Sequence, residues 1–210
     1  MATPFVWELT EADAPAAGAL LARAFASSPN LAIVFPDADQ RAHYFAHYFP
    51  SRWAAATRLA CRLGGALGVG TGPGDLAGVA LWRPEPPPPN LAQLETEAGF
   101  GPHDPVAGPA MARVHAMLAV AEAGLGEMPP TWRYLDMIGV DPARQVQGFG
   151  SALLRRLLAD AEAAGEAYGL LTDEPAAVPF YERAGLDRVW SGTAEDGALP
   201  LWSFRSRLPQ

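Results

Sequence analysis

The run IGVDPARQVQGFGSALLRRLLADAEAAG, from Ile138 to Gly165, predicts a strand, a turn and a helix in direct succession. Its apolar beginning ends at Val140, and Pro142 then favours a turn because proline cannot donate a backbone hydrogen bond. From Gly148 onward the apolar residues recur at helical spacing, at Phe149, Leu153, Leu154, Leu157 and Leu158. The turn is therefore followed at once by an amphipathic helix.

The turn itself has the features of a backbone anion site. The first amides of a helix have no intrahelical acceptor and lie at the positive end of the helix dipole, where they can bind a phosphate. Gly148 and Gly150 remove Cβ atoms where a ligand would approach the backbone, although they could equally just permit a tight turn. The dinucleotide-binding pattern is not met, because its third glycine would fall at Leu153.

The spacing Gln-x-x-Gly-x-Gly after Val-Asp-Pro resembles motif A of the GNAT superfamily of N-acetyltransferases. A second run, GLLTDEPAAVPFYERAGL at 169–186, resembles a later segment of the same family. The resemblance implies acetyl-CoA as cosubstrate, with its pyrophosphate on the loop amides of Gln145, Val146, Gln147, Gly148, Phe149, Gly150 and Ser151. Aromatic early helices, a helical insertion and a Pro-Leu-Trp near the C-terminus are most similar to the puromycin N-acetyltransferase type.

The remaining segments predict an α/β domain over residues 1–210, with a mixed central sheet of about seven strands flanked by helices. Strands are expected near Phe5–Leu9, within a hairpin ending at Trp82, and at 131–140, 167–172, 186–191 and 199–207. Helices are expected at about Asp13–Ala26 and Asp37–Ala56, after Gly148, and briefly within 176–185. This order agrees with the GNAT plan that the two motifs imply.

The composition changes at Arg83, where RPEPPPPN is expected to end the strand. We interpret about 83–130 as an insertion between the third and fourth strands, laid over the main sheet. It should carry its own helix at about Val106–Ala123, with an apolar face formed by Val114, Met117, Leu118 and Ala121. A lid of this kind suits an enclosed pocket for a small acceptor better than an open peptide groove.

The GNAT resemblance also implies roles for single residues. The strand before motif A splays from its neighbour in this family, so that Ile138, Gly139 and Val140 would receive the pantetheine arm and the acetyl carbonyl; the alternative is an ordinary buried strand. Tyr181, in PFYER, matches the tyrosine that protonates the departing thiolate. It could instead be an aromatic residue that only packs beneath the cofactor.

The general base is not fixed by the motifs. Many family members have a glutamate where this chain has Tyr134. Asp136 lies two residues further on, on the same face of a regular strand, and could act through water. It could also simply pair with an arginine such as Arg133 or Arg144. Two further departures from the family are Leu171, in place of a glutamate of the puromycin enzyme, and Ala177, in place of an asparagine that often contacts the pantetheine arm.

Charge and composition exclude several function classes. The net charge of −8 argues against a nucleic-acid partner, and all 15 basic residues are arginine, which excludes lysine Schiff-base chemistry. One cysteine, Cys61, and a His43–His47 pair without a following glutamate give no recognisable metal motif. No apolar run approaches the roughly 18 residues of a membrane span. We expect a cytoplasmic enzyme that needs no metal and does not bind membranes.

The function hypothesis is transfer of an acetyl group from acetyl-CoA to a primary amine of a small molecule. The alternatives are a catalytically weak acyl-CoA-binding module and a protein or peptide N-acetyltransferase. A homodimer is left open. Candidate acceptor-lining residues, each with an equally good packing or surface explanation, are Tyr44, Phe45, Tyr48, Phe49, His103, His115 and Glu122.

Overall fold

A seven-stranded sheet forms the centre of the protein. The computed structural model describes residues 3–28, 31–32, 35–99, 116, 119–120, 122–194 and 199–207. The strands are β1 Phe5–Glu8, β2 Ala66–Gly70, β3 Gly78–Glu85, β4 Trp132–Val140, β5 Ala167–Thr172, β6 Asp187–Ala194 and β7 Leu199–Arg205. The helices used below are α1 Ala14–Phe25, α2 Ala38–His47, α3 Phe49–Arg62, α4 Leu91–Ala98, α5 Phe149–Ala164 and α6 Val178–Arg183.

The strand order is β1-β2-β3-β4-β5-β7-β6. Only β4 and β5 are parallel, and the other neighbours are antiparallel, so the sheet is mixed as the sequence predicts. The parallel pair is joined by α5, which crosses from the end of β4 back to the start of β5. A parallel connection needs such a crossover, which is why the helix follows the opening turn directly.

Two hydrophobic cores lie on opposite faces of the sheet. On one face, which we call the front face, α1 and α3 cover β2 and β3, with Leu20, Leu21 and Trp53 among the buried side chains. On the opposite face α5 packs Leu153 and Leu157 against the apolar side of β2 to β5. The apolar residues that recur along α5 therefore all pack in this one core. This packing fixes the beginning of α5 close to the end of β4.

The predicted helix over Asp37–Ala56 is wrong as one element. The structure has α2 and α3, separated at Tyr48, whose φ and ψ are −105° and −53°. Pro50 lies in the first turn of α3, where its missing N–H is tolerated, whereas in the middle of a longer helix it would remove a hydrogen bond and clash with the preceding turn.

The predicted end of the second hairpin strand at Trp82 is also wrong. β3 continues to Glu85, because Arg83 lies opposite Tyr134 and Glu85 opposite Trp132 on β4. Pairing with β2 ends at Leu81, so the extension is an edge on that side, and an edge tolerates a proline at position 84.

The segment between β3 and β4 packs on both halves of the front face. Its first part forms α4, a helix that the sequence did not predict, and Arg58 of α3 donates to the carbonyl of Ala98 there at 2.7 Å. Its last part places Leu125 in contact distance of Gly169 on β5, and Arg205 of β7 donates to the carbonyl of Glu127 at 3.0 Å. The predicted helix at 106–123 and its apolar face lie mostly outside the described residues, of which 116, 119–120 and 122–123 are helical.

Gly18 allows α1 and α3 to approach closely. A Cβ at this position would lie 2.3 Å from the carbonyl oxygen of Pro50 and 2.6 Å from the amide nitrogen of Ala54, both backbone atoms. Glycine inside a helix ordinarily costs about 1 kcal/mol relative to alanine. Glycine is nevertheless the residue that fits here, because backbone atoms of α3 occupy the space that the Cβ of an alanine would need.

We expect Gly18→Ala to destabilise the protein by roughly 1–2 kcal/mol, since overpacking against backbone outweighs the gain in helix propensity. The measurement is the free energy of unfolding from urea titration. The control is Ala16→Gly at an exposed site of the same helix, which measures the effect of helix propensity alone on the free energy of unfolding. A more stable Gly18→Ala protein would contradict the close packing of α1 on α3.

Candidate active site

β4 separates from β5 half-way along its length. It pairs with β3 from Trp132 to Val140, but its parallel register with β5 ends where Leu135 meets Leu170. Beyond that point β5 continues on β7. The two strands thus diverge and leave a cleft whose wall is the second half of β4. The three residues that the sequence assigned to the pantetheine arm and the acetyl carbonyl, Ile138, Gly139 and Val140, lie in this half.

The side chains of this half of β4 face away from the cleft. Ile138 and Val140 pack with the core beneath α5, whereas Gly139 lies under α1, where a Cβ would come within 3.0 Å of Leu21. The strand therefore offers its backbone groups to the cleft. A buried backbone group without a ladder partner requires another hydrogen-bond partner.

The turn after β4 is held by short-range contacts. Asp141 accepts a hydrogen bond from the amide of Ala143 at 3.0 Å, and the side-chain amide of Gln145 donates to the carbonyl of Val140 at 3.4 Å. Val146 has φ 62° and is fully exposed. A β-branched residue in the left-handed region is strained by about 1–3 kcal/mol, and such strain is concentrated at functional loops.

The start of α5 carries unpaired amides. Gly148 is the N-cap residue with φ 87°, and no side chain caps the helix. The first intrahelical bond runs from the amide of Ala152 to the carbonyl of Gly148, so the amides of Phe149, Gly150 and Ser151 precede it. Phe149 contributes only backbone to any ligand, because its ring is buried in the α5 core.

The two arginines beside this loop are already paired. Arg144 makes two hydrogen bonds to Asp75 in the β2–β3 turn, at 2.9 and 3.0 Å, and Arg23 of α1 contacts Asp141 at 2.7 Å. The Arg144 guanidinium, helped by Thr71, holds the pKa of Asp75 well below its usual range. These pairs fix the loop to its neighbours and leave the backbone amides of the loop as anion donors.

A third element reaches the same cleft from α6. A Cβ on Gly150 would lie 3.5 Å from Val140 and 3.7 Å from the ring of Phe180. The next residue, Tyr181, is 6% exposed and packs on Phe204, with ring centroids 5.3 Å apart. Burial, and then the charge of Asp173, raise the pKa of Tyr181 above its usual value, so its phenol remains protonated at neutral pH. The end of β4, the start of α5 and α6 therefore converge.

On the front face, the guanidinium of Arg83 contacts three carboxylates. Its Nε donates to Glu85 at 2.8 Å, one terminal nitrogen contacts Glu122 at 3.3 Å, and the other donates to Asp136. The guanidinium lies 4.2 Å above the centre of the Tyr134 ring. We call Arg83, Glu85, Glu122, Tyr134 and Asp136 the Arg83 cluster. It lies where β4 leaves β5.

Asp136 is the extra residue of a β-bulge. Leu81 pairs with Met137 and Trp82 with Leu135, so Asp136 has no partner on β3. Burial is the main cause that raises the pKa of Asp136 to about 6, opposed by Arg83 and assisted by Glu85. Bulges commonly redirect a side chain next to a functional site.

The alternative that Asp136 pairs with an arginine is confirmed, but the partner is Arg83 rather than Arg133 or Arg144. Arg133 pairs instead with Glu166 at 2.5 Å, and Arg144 pairs with Asp75. Arg83 has no local signal, because the prolines that follow it predict the start of the insertion rather than a longer β3 with Arg83 opposite Tyr134.

The other candidate acceptor residues divide into three groups. Tyr44 and Phe49 are buried, and Phe45 and Tyr48 are partly buried against the same aromatic core. His103 and His115 lie outside the described residues. Only Glu122 belongs to the Arg83 cluster. Within the described residues no His, Cys, Asp or Glu group is arranged to hold a metal ion, and no helix there is long and apolar enough to cross a bilayer.

Comparison with known proteins agrees with this architecture. The profile of the Acetyltransferase (GNAT) family matches residues 35–186, which include β2 to β5, the loop and α6. The chain belongs to the GNAT family of acetyltransferases. It is thus an acyltransferase, and the donor that this family uses is acetyl-CoA.

Individual relatives of the GNAT family resemble the chain in part or in fold. N-alpha-acetyltransferase RimI of Mycobacterium tuberculosis is 42% identical over 65 residues, which are 31% of this chain and 41% of that protein. The match thus spans less than half the length of this relative. A Corynebacterium glutamicum structure named for histone acetyltransferase HPA2 and related acetyltransferase has TM-score 0.65 and 21% identity, over 99% of this chain and 97% of its own. The polyamine N-acetyltransferase of Drosophila melanogaster has TM-score 0.65 and 13% identity, over 98% and 100%.

The cleft fits the acyl donor of the GNAT family in two respects. The uncapped amides of α5 offer donors to a pyrophosphate, and the half of β4 that is not paired with β5 offers backbone groups to a pantetheine amide. The expected binding of the pyrophosphate by Gln145 to Ser151 remains a prediction, which a matched pair of glycine variants can test.

We expect Gly148→Ala and Gly165→Ala to lose about 1 kcal/mol of stability each, since both glycines have positive φ, 87° and 68°, at the two ends of α5. Neither added Cβ meets another atom within 4 Å. Only Gly148→Ala should weaken acetyl-CoA binding, by roughly tenfold, because only that change disturbs the donor amides. Calorimetric Kd values decide the matter. Equal affinities in the two variants would place the pyrophosphate elsewhere.

Proposed function

We propose that this GNAT protein transfers an acetyl group from acetyl-CoA to a primary amine of a small molecule. The observation that supports a small acceptor is the contact between Glu122, near the end of the insertion, and Arg83, near the end of β3. This contact holds the insertion at Glu122 beside the point on the front face where β4 leaves β5. An acceptor entering there meets a covered site rather than an open groove.

The donor side is assigned to backbone groups. Amides from Gln145 to Ser151 bind the pyrophosphate, and backbone groups of Ile138, Gly139 and Val140 orient the pantetheine arm and polarise the acetyl carbonyl. Acetyl-CoA supplies the activated acyl group as a thioester. During transfer the carbon–sulfur bond breaks, the carbon–nitrogen bond forms, and one proton leaves the amine while one reaches the thiolate.

Asp136 is the proposed general base, directly or through one water molecule. The bulge directs it to the front face, at the point where the cleft begins, and its pKa of about 6 keeps it ionised yet basic at neutral pH. Its contact with Arg83 is shared with Glu85 and Glu122, so the guanidinium does not depend on Asp136 alone.

Tyr181 is the proposed partner of the departing thiolate. A thiol has an ordinary pKa near 8.5 and a phenol near 10, and the pKa of buried Tyr181 is higher still. Full proton transfer is therefore unfavourable in the empty site, and the phenol stabilises the thiolate mainly as a hydrogen-bond donor. A contribution of this kind assists the reaction without being indispensable.

The acceptor is tested by thiol release with aliphatic amines, arylalkylamines, aminonucleosides such as puromycin, and short peptides. The resemblance to puromycin N-acetyltransferase-type members supports a small amine, although Leu171 replaces the glutamate of that enzyme and packs among apolar residues on the front face. Acetylation of peptides alone would overturn the small-acceptor proposal. Acetyl-CoA binding without turnover on any acceptor would favour a binding module instead.

We expect Tyr181→Phe to lower kcat by about 10- to 100-fold, the value of one hydrogen bond to a developing charge. Affinity for acetyl-CoA should change less than about twofold, because the ring and its packing are kept. The control is Tyr168→Phe, since Tyr168 is equally buried but lies on β5, where Arg133 lies over its ring. Full activity of Tyr181→Phe would remove the assigned role.

We expect kcat/KM to rise as Asp136 loses its proton near pH 6, and Asp136→Asn to abolish this limb and lower activity by about 100-fold. Because the folded pKa lies above the unfolded value of 3.8, ionisation of Asp136 costs stability as pH rises from about 4 through 6. The variant should therefore melt no lower than the wild type at pH 8.

The control for this change is Asp160→Asn, whose carboxylate pairs with Arg156 on the far surface of α5. It should keep both the pH profile and kcat. If Asp136→Asn retains the acidic limb, the base is another group, and if its Tm falls sharply, Asp136 has a structural role.

A further inference from the structure

The Arg83 cluster has more negative than positive charge. Three carboxylates, from Glu85, Glu122 and Asp136, share one guanidinium, which leaves two negative charges uncompensated within the cluster when all are ionised. Their side chains are between 19% and 43% exposed, so the charges are partly desolvated but still reachable from solvent. Partly buried surplus charge is unfavourable unless a counter-charge binds.

Tyr134 gives a second and independent sign of a missing partner. The residue is 4% exposed, and its hydroxyl has no hydrogen-bond partner in the part of the chain that the structure describes. The charges of Glu122, Asp136 and Glu85 all act on this phenol and, after burial, raise its pKa. The Arg83 guanidinium, which all three carboxylates contact, lies directly above the ring of this phenol. A buried, unpaired hydroxyl ordinarily costs about 1–3 kcal/mol, which a bound donor would recover.

The cluster lies beside the proposed reaction centre. Asp136 precedes Val140 by four residues, about 13 Å along an extended strand. The cluster extends from Asp136 toward Glu85 at the end of β3 and Glu122 at the end of the insertion. A cation bound by those two glutamates would therefore belong to the same acceptor molecule as the reacting amine, at its distal end.

We infer that the acceptor carries a second positive charge, as in an aliphatic diamine or an aminoalkyl guanidine, and that Glu85, Glu122 and the Tyr134 hydroxyl bind this distal cation. This inference rests on the proposed function. The distal group donates to the glutamates and to the phenol oxygen, while the reacting amine lies at Asp136. Arg83 contacts all three carboxylates and reduces their mutual repulsion.

The test uses three acceptors of equal chain length: putrescine with two cationic ends, butylamine with one, and γ-aminobutyrate with an anionic distal end. Each is assayed by thiol release in the full-length protein. We expect kcat/KM to be highest for putrescine, at least about tenfold above butylamine, the value of one charge-assisted hydrogen bond. γ-Aminobutyrate should be the poorest because its carboxylate meets the surplus negative charge.

Glu122→Gln should lower the ratio of putrescine to butylamine kcat/KM by about tenfold, through loss of one carboxylate of the distal site. Tyr134→Phe should lower it less, since it removes a neutral acceptor. The matched control is Glu162→Gln on the exposed surface of α5, which removes the same charge far from the cluster and should keep the wild-type ratio.

The outcomes separate this inference from the proposed function. Equal kcat/KM for putrescine and butylamine, or an unchanged ratio in a folded Glu122→Gln protein, would overturn the distal-cation site and leave small-amine acetylation intact. The cluster would then be an ion-pair network that fastens the insertion. Absence of turnover with all amines, despite acetyl-CoA binding, would instead refute the proposed function.

Discussion

Hydrogen bonds between β4 and β5 stop at Leu135 and Leu170, although β4 continues to Val140. Backbone groups that leave a sheet need new partners, which on this side of β4 a ligand or solvent can supply beside the side chain of Gln145. The divergence is sustained from both sides, since β3 holds β4 along its full length and β7 holds β5 to Thr172. The proposed active site depends on this opening in the sheet.

The loop after β4 offers backbone amides as hydrogen-bond donors, whereas the arginine side chains beside it are already paired with carboxylates. Arg144 and Arg23 are engaged by Asp75 and Asp141, and the helix behind the loop is anchored by the deeply buried Leu153 and Leu157. Core packing therefore fixes the direction of the amides before any ligand arrives, which reduces the ordering that binding must supply. The strained conformation of Val146 is a cost of the same arrangement.

The Arg83 cluster, which is the proposed acceptor side, differs from this loop because it consists of charged side chains with a surplus of negative charge. The bulge at Asp136 shifts the alternation of β4, so that Leu135 and Ile138 both face α5 while Tyr134 and Asp136 both meet Arg83. The proposed anion-binding amides and the proposed cation site thus lie at the two ends of one half-strand. A positively charged amine and a negatively charged donor would be drawn to separate places and meet between them.

The sequence by itself determined the mixed seven-stranded sheet, the GNAT resemblance and the glycine turn before α5, because these depend on local periodicity and on glycines at fixed spacing. It failed where an interaction is made across the sheet. Tyr48 ends a helix because of Pro50, which local rules could have found, but the extension of β3 through Pro84 depends on β4 being its neighbour. The pairing of Arg83 with Asp136 joins residues 53 positions apart and needs a bulge that no spacing reveals. Only the tertiary structure reveals the Arg83 cluster, the proposed acceptor side, because its charged side chains come from β3, the insertion and β4, which the fold brings together.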